Sequence, residues 1–138
     1  MIRAVLDTNV LISALLFSGL PSRLVPAWQT GRVRPVLSAA ILDEYIRALA
    51  YPKLRLTPEE VRSLLEEEFL PFVESVGVEG ISYAIPSDPD DAKFIECALA
   101  ADVPWVVTGD AALLELEAVR SVSIINVRAF LNHLNPSR

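Results

Sequence analysis

The sequence predicts an α/β fold: a three-layer sandwich in which helices cover a five-stranded, mainly parallel sheet. Three observations predict it. Short apolar runs alternate with helical patterns along the whole chain. Hydrophobic residues make up 52% of the 138 positions, enough for a sizeable core. No internal repeat or low-complexity segment interrupts the alternation, so residues 1–138 read as a single domain.

The elements follow in order. Residues 2–6 form a short apolar run, the pattern of a strand buried on both faces. Residues 9–17 are apolar all round, which suits a buried helix. Pro21 and Pro26 mark the next helix, and Gly31 ends it. Residues 33–37 are the second strand. Ser38 caps a helix that Pro52 stops. Thr57-Pro58-Glu59-Glu60 combines a cap, a proline and early acids, and starts a helix running to about Leu70. Residues 72–78 are a third strand. Gly77, Gly80 and Pro86 punctuate a loop before a helix over 90–101. Strands are expected at 105–108 and 122–127, with short helices at 111–116 and 129–134.

Composition narrows the function. The single cysteine, Cys97, excludes an intrachain disulfide and suits a reducing cytoplasm. No apolar run approaches the roughly 20 residues of a membrane span. Asp7 and Asn9 interrupt the apolar N-terminus, which argues against a signal peptide. A net charge of −6 argues against a protein that coats nucleic acid. It leaves room for an enzyme whose acidic centre recruits metal ions that bridge carboxylates to phosphate.

Most of the 18 acids must be ordinary surface residues. Asp7 directly follows the first strand, and Asp110 follows Trp105-Val106-Val107-Thr108-Gly109. Both therefore fall at the C-terminal edge of the sheet, where open α/β sheets bind ligands. A solvated loop acid explains either one alone; two on one edge point to a site. In the helix after strand two, Leu42, Tyr45, Ile46 and Leu49 mark the buried stripe. Asp43 points away from it, four residues before Arg47, at an exposed ion-pair spacing. Glu44 falls on the border of the stripe, where a water-facing glutamate and a site residue are equally consistent with the pattern.

The run Asp88-Pro89-Asp90-Asp91 reads first as a helix start, with Asp88 as cap. Ile95, Ala98 and Leu99 mark the inward face. Asp91 lies one turn before Ile95 on that face, and Asp90 lies toward solvent. An inward carboxylate needs a partner. Either it caps the helix by reaching back to Asp88, or it joins a metal site.

Energetics favour linking the acids. Two carboxylates about 5 Å apart repel by roughly 3 kcal/mol at an effective dielectric of about 20. Four together would exceed a small domain's net stability of about 5–15 kcal/mol. They must bind cations, take up protons or stay apart. Oxygen donors without histidine or cysteine favour Mg²⁺ or Mn²⁺ over zinc. His133 is far from every motif and reads as a surface or packing residue. Cys97, opposite Ile95 on the wheel, is expected to be partly exposed. Arg23, Arg32, Arg34, Lys53 and Arg55 are candidates to guide a polyanion.

These segments resemble the PIN-domain family, and within it the VapC-like toxin ribonucleases of toxin–antitoxin pairs. The matching stretches are Val5-Leu6-Asp7-Thr8-Asn9-Val10, residues 38–49 with Glu44, residues 88–98 with Asp91, and residues 106–114 with Thr108-Gly109-Asp110. Each is weak alone; together they are specific, and they span nearly the whole chain. The resemblance implies a five-stranded parallel sheet between helices. It implies that Asp7, Glu44, Asp91 and Asp110 hold one or two Mg²⁺ ions for hydrolysis of RNA phosphodiesters. Asn9 and Thr108 would support the acids or the attacking water. A homodimer and a cognate antitoxin would be the partners.

Two other classes compete. A DNA nuclease resembling flap endonucleases uses similar acidic chemistry. A non-catalytic receiver-like signalling module also gathers acids at strand ends. It would place its phosphoacceptor mid-sequence and a lysine after a late strand, whereas no lysine follows Lys93. A nucleotide-binding Rossmann domain is disfavoured, because neither a Gly-x-Gly-x-x-Gly turn nor a P-loop is present.

Overall fold

Strand β1 (Ile2–Leu6) buries Ala4, Val5 and Leu6 in succession. Successive residues point to opposite faces, so both faces of this strand are covered. The computed structural model describes residues 1–82 and 89–134. Helix α1 (Thr8–Leu16) follows, then a 3₁₀ turn (Leu20–Arg23) and α2 (Leu24–Gln29). Gly31, at φ 81°, ends α2 in the left-handed conformation, and Arg32 N–H bonds back to Ala27. Strand β2 (Val33–Leu37) leads into α3 (Ala39–Leu49), where the Ser38 hydroxyl accepts the Ile41 N–H as N-cap.

A 3₁₀ turn (Pro52–Leu54) precedes α4 (Pro58–Glu68). Thr57 and Glu60 form a reciprocal capping box there, with bonds of 3.0 and 2.8 Å. The third predicted strand is reduced. Pro71 sits in a 3₁₀ turn (Leu70–Phe72), and only Glu74–Ser75 pair, as β3. The expected cap Asp88 lies outside the described residues. Beyond it come a 3₁₀ turn (Pro89–Asp91), α5 (Ala92–Ala100), β4 (Trp105–Val107) and α6 (Ala111–Glu115). Strands β5 (Ala118–Val119) and β6 (Val122–Ile125) and helix α7 (Val127–Leu134) complete the order.

The sheet has six strands in the order β3-β2-β1-β4-β6-β5. All five expected strands are present and parallel; the sixth, β5, pairs antiparallel with β6. Two residues carry too little periodicity to be read as a strand beforehand. The chain winds outward from β1 in one direction through β2 and β3, then returns to the other side of β1 with β4. The point where winding reverses is therefore the seam between β1 and β4.

Trp28, Phe69 and Tyr45 pack edge to face, with centroids 5.1 and 5.8 Å apart, under α3. Such pairs contribute about 0.5–1.5 kcal/mol beyond burial alone. Cys97 is fully buried, not partly exposed as expected, because α5 is enclosed on more than one side: Phe94, Ile95, Cys97 and Ala98 are all at 0% exposure. Ile46 departs in the other direction and is 43% exposed. The buried row of α3 is Ile41, Tyr45 and Leu49, which rotates the expected stripe away from Ile46 and toward Glu44. Among the described residues no single helix is long and apolar enough to cross a membrane.

Candidate active site

Asp7 directly follows β1, and its N–H donates to the Val107 carbonyl at 2.9 Å, so the β1–β4 ladder runs up to the site. It precedes α1 as the N-cap residue and is 5% exposed. The Thr108 hydroxyl donates to Asp7 Oδ2 at 2.6 Å. The same hydroxyl accepts the Asp110 N–H at 3.0 Å. Asp110 caps α6, its Oδ2 accepting the Leu113 N–H at 3.0 Å. Thr108 thus ties the acids of two strand ends together across the seam.

Burial pushes the Asp7 carboxyl above its usual range. Hydrogen bonds from Thr108 and from the Thr8 backbone oppose that rise, and the charges of Glu44 and Asp110 add to it. Two of the expected acids, Glu44 and Asp110, therefore act electrostatically on a third, Asp7.

Glu44 is brought in by its neighbour. The Tyr45 hydroxyl donates to the Leu6 carbonyl, one residue before Asp7, and fixes α3 over the end of β1. Desolvation holds the Tyr45 phenol well above its ordinary range, so it remains a neutral donor. Glu44 Oε2 accepts from the Thr8 hydroxyl, and Oε1 pairs with the Lys93 ammonium. Asp91 is half-buried at the start of α5, two residues before Lys93, while Asp90 is exposed. As N-cap, Asp91 makes no side-chain capping bond.

Asn9 is exposed on the first turn of α1. With Ile12, Glu44, Arg47, Tyr51 and Leu54 it lines an open cavity of about 510 Å³. Arg47 and Tyr51 were not among the expected polyanion-guiding residues. Arg47 reads in sequence as half of an exposed ion pair, and Tyr51 as a helix end. Arg32 and Arg34, which were, flank the start of β2, where Val33 pairs with Ile2; this is the opposite edge of the sheet from Asp7. His133 packs edge to face on Trp105 at 4.7 Å, near that same far edge.

Lys93 was also missed. Its sequence signal is electrostatic: a cation in the first turn of a helix opposes the dipole and needs a carboxylate partner.

The donor set fits a hard divalent cation in kind: carboxylate oxygens only, one of them desolvated, with two more acting on it. Among the described residues no group of three acidic, histidine or cysteine side chains is arranged to hold a metal ion. Both Glu44 oxygens and one oxygen each of Asp7 and Asp110 are engaged by protein donors.

No curated protein has a matching sequence. The fold is similar to two crystal structures. One is VapBC2 from Rickettsia felis bound to a DNA fragment from its promoter: TM-score 0.61, 14% identity, over 91% of this chain and 98% of that one. The other is PAE2754 from Pyrobaculum aerophilum: TM-score 0.56, 14% identity, over 99% and 91%. At such identity the likeness is one of fold. Residues 3–112, which run from within β1 to the first turn of α6 and include Asp7, Glu44, Asp91 and Asp110, match the family model for the PIN domain. The chain belongs to the PIN domain family.

Proposed function

We propose that this protein is a metal-dependent endoribonuclease that hydrolyses RNA phosphodiester bonds, and that it is the toxin of a toxin–antitoxin pair. PIN domains are in general nucleases that use divalent metal ions, and that class is the starting point. The observation that carries the reading is the pairing of Asp7 and Asp110 through Thr108 at the β1–β4 seam, with Asp7 desolvated and the charge of Glu44, on α3, acting on it.

Asp7, Glu44, Asp91 and Asp110 would hold Mg²⁺ or Mn²⁺. Bound there, such an ion would supply an activated water and offset charge on the phosphate. The chain's own residues do the rest. Burial of Asp7 excludes bulk water from one side of the site. Thr108 fixes which Asp7 oxygen faces inward and keeps Asp110 in register with it. Asn9, which lines the adjoining cavity, would orient the attacking water or a phosphate oxygen. The adjoining cavity offers an exposed Tyr51 ring and the Arg47 guanidinium, a pairing that suits an unstacked base and its phosphate.

A single domain over 1–138, a homodimer, a cognate antitoxin and a cytoplasmic location complete the proposal. The test is Mg²⁺-dependent cleavage of total RNA by purified protein, mapped by sequencing, beside single-stranded and flap DNA. Asp7→Asn is expected to lose RNA cleavage while remaining folded. Full cleavage by the folded variant overturns the reading. Preference for DNA makes the protein a deoxyribonuclease with the same acidic site.

A further inference from the structure

Lys93 spans two elements that meet at the site. It is the second residue of α5, and its ammonium pairs with Glu44 on α3. Both side chains are largely withdrawn from water, at 18% and 25% exposure. A cation so near the start of a helix opposes the dipole, so α5 does not favour it there. The neighbouring acids do. Glu44 and Asp110 both act on the buried carboxylate of Asp7, and a positive charge paired with Glu44 offsets its share of that repulsion. The Thr8 hydroxyl holds the other Glu44 oxygen, so the whole carboxylate is engaged.

We infer that Lys93 is a built-in counter-ion that competes with the divalent metal for Glu44. The inference rests on the metal-dependent nuclease reading above. An ammonium is a compact point charge without the bidentate fork of arginine, so it both neutralises a carboxylate and releases it. The same Glu44 oxygen cannot serve Lys93 fully and a metal ion as well. Metal binding therefore parts the Lys93–Glu44 pair, and Lys93 is a positioning residue that sets how tightly the site takes its ion.

The experiment titrates Mn²⁺ into wild-type protein, Lys93→Met and Lys93→Arg, followed by calorimetry and by the shift in Tm. Lys93→Met is expected to bind Mn²⁺ about tenfold more tightly, with a larger rise in Tm on adding metal. Lys93→Arg, which keeps the charge and grips the carboxylate with two bonds, is expected to bind no more tightly than wild type. A residue that only braced the fold would give the opposite sign, because its loss loosens the site. Unchanged or weaker binding by folded Lys93→Met overturns the inference.

A second measurement needs no variant. The chain has two lysines, and Lys53 is exposed. Under lysine-acylating reagent, Mn²⁺ is expected to speed labelling of Lys93 relative to Lys53, read by mass spectrometry. An unchanged or slower relative rate overturns the inference. Wild-type protein that binds Mn²⁺ and cuts RNA while Lys93→Met binds no tighter leaves the nuclease reading intact and removes this one. If neither protein binds Mn²⁺, both fall.

Discussion

The Thr108 hydroxyl donates to Asp7 Oδ2 across 2.6 Å and is fully buried as it does so. Asp7 follows β1 and Thr108 follows β4, so the bond closes the seam where the winding of the sheet reverses. Because the Thr108 hydroxyl oxygen also accepts the Asp110 N–H, one hydroxyl orients two acids.

Thr108→Val keeps the shape of the side chain and removes both bonds. The buried Asp7 acceptor and the part-buried Asp110 donor lose their partner, and each such loss costs about 1–3 kcal/mol. Urea unfolding is expected to show a loss of about 2–6 kcal/mol, the sum of the two. Nuclease activity is expected to fall by more than the folded fraction does, because Asp7 and Asp110 both lose their orientation. Activity that tracks the folded fraction alone would show that the bond is structural.

Tyr51 is 54% exposed beside Arg47 in the cavity next to Glu44. An aromatic ring that stacks a base contributes about 1–3 kcal/mol. Tyr51→Ala is expected to raise KM for single-stranded RNA about tenfold with little change in kcat. Tyr51→Phe, which keeps the ring, is expected to restore KM. A KM that does not move in Tyr51→Ala places substrate elsewhere.

Burial pushes the Cys97 thiol up to about 12. A raised thiol value keeps the neutral form dominant, and only the thiolate reacts. At pH 8 the thiolate fraction is roughly one in ten thousand. Iodoacetamide is expected to leave Cys97 unmodified in folded protein at pH 8 and to alkylate it once urea unfolds the chain. Modification of the native protein at the rate of a free thiol would contradict its placement in the core.

Legibility differed from residue to residue. Asp7 and Asp110 were readable because strand ends in an α/β chain share one edge, and the apolar runs before them mark those ends. Glu44 was not decided by its helix. A stripe of Leu42, Tyr45, Ile46 and Leu49 left it at the border; the observed row of Ile41, Tyr45 and Leu49 turns the buried face toward it. Tyr45 belongs to both rows, and its hydroxyl ties α3 to Leu6 on a strand 39 positions away. Asp91 was separated from Asp90 by its helical face, and the two differ in exposure accordingly.

The sequence by itself determined the order of elements, the parallel sheet and the acids that end its strands. Each of these follows from local signals: periodicity of 2 or 3.6, caps, and prolines. The tertiary structure decided the rest. It paired Lys93 with Glu44, hung Asp7 and Asp110 on one hydroxyl, buried Cys97, and put Arg47 and Tyr51 beside Glu44, while Arg32 and Arg34 lie at the opposite edge of the sheet. A helical wheel fixes the angle of a side chain about its own axis. It cannot fix which neighbour lies at that angle, because that depends on the crossing of elements far apart in the chain.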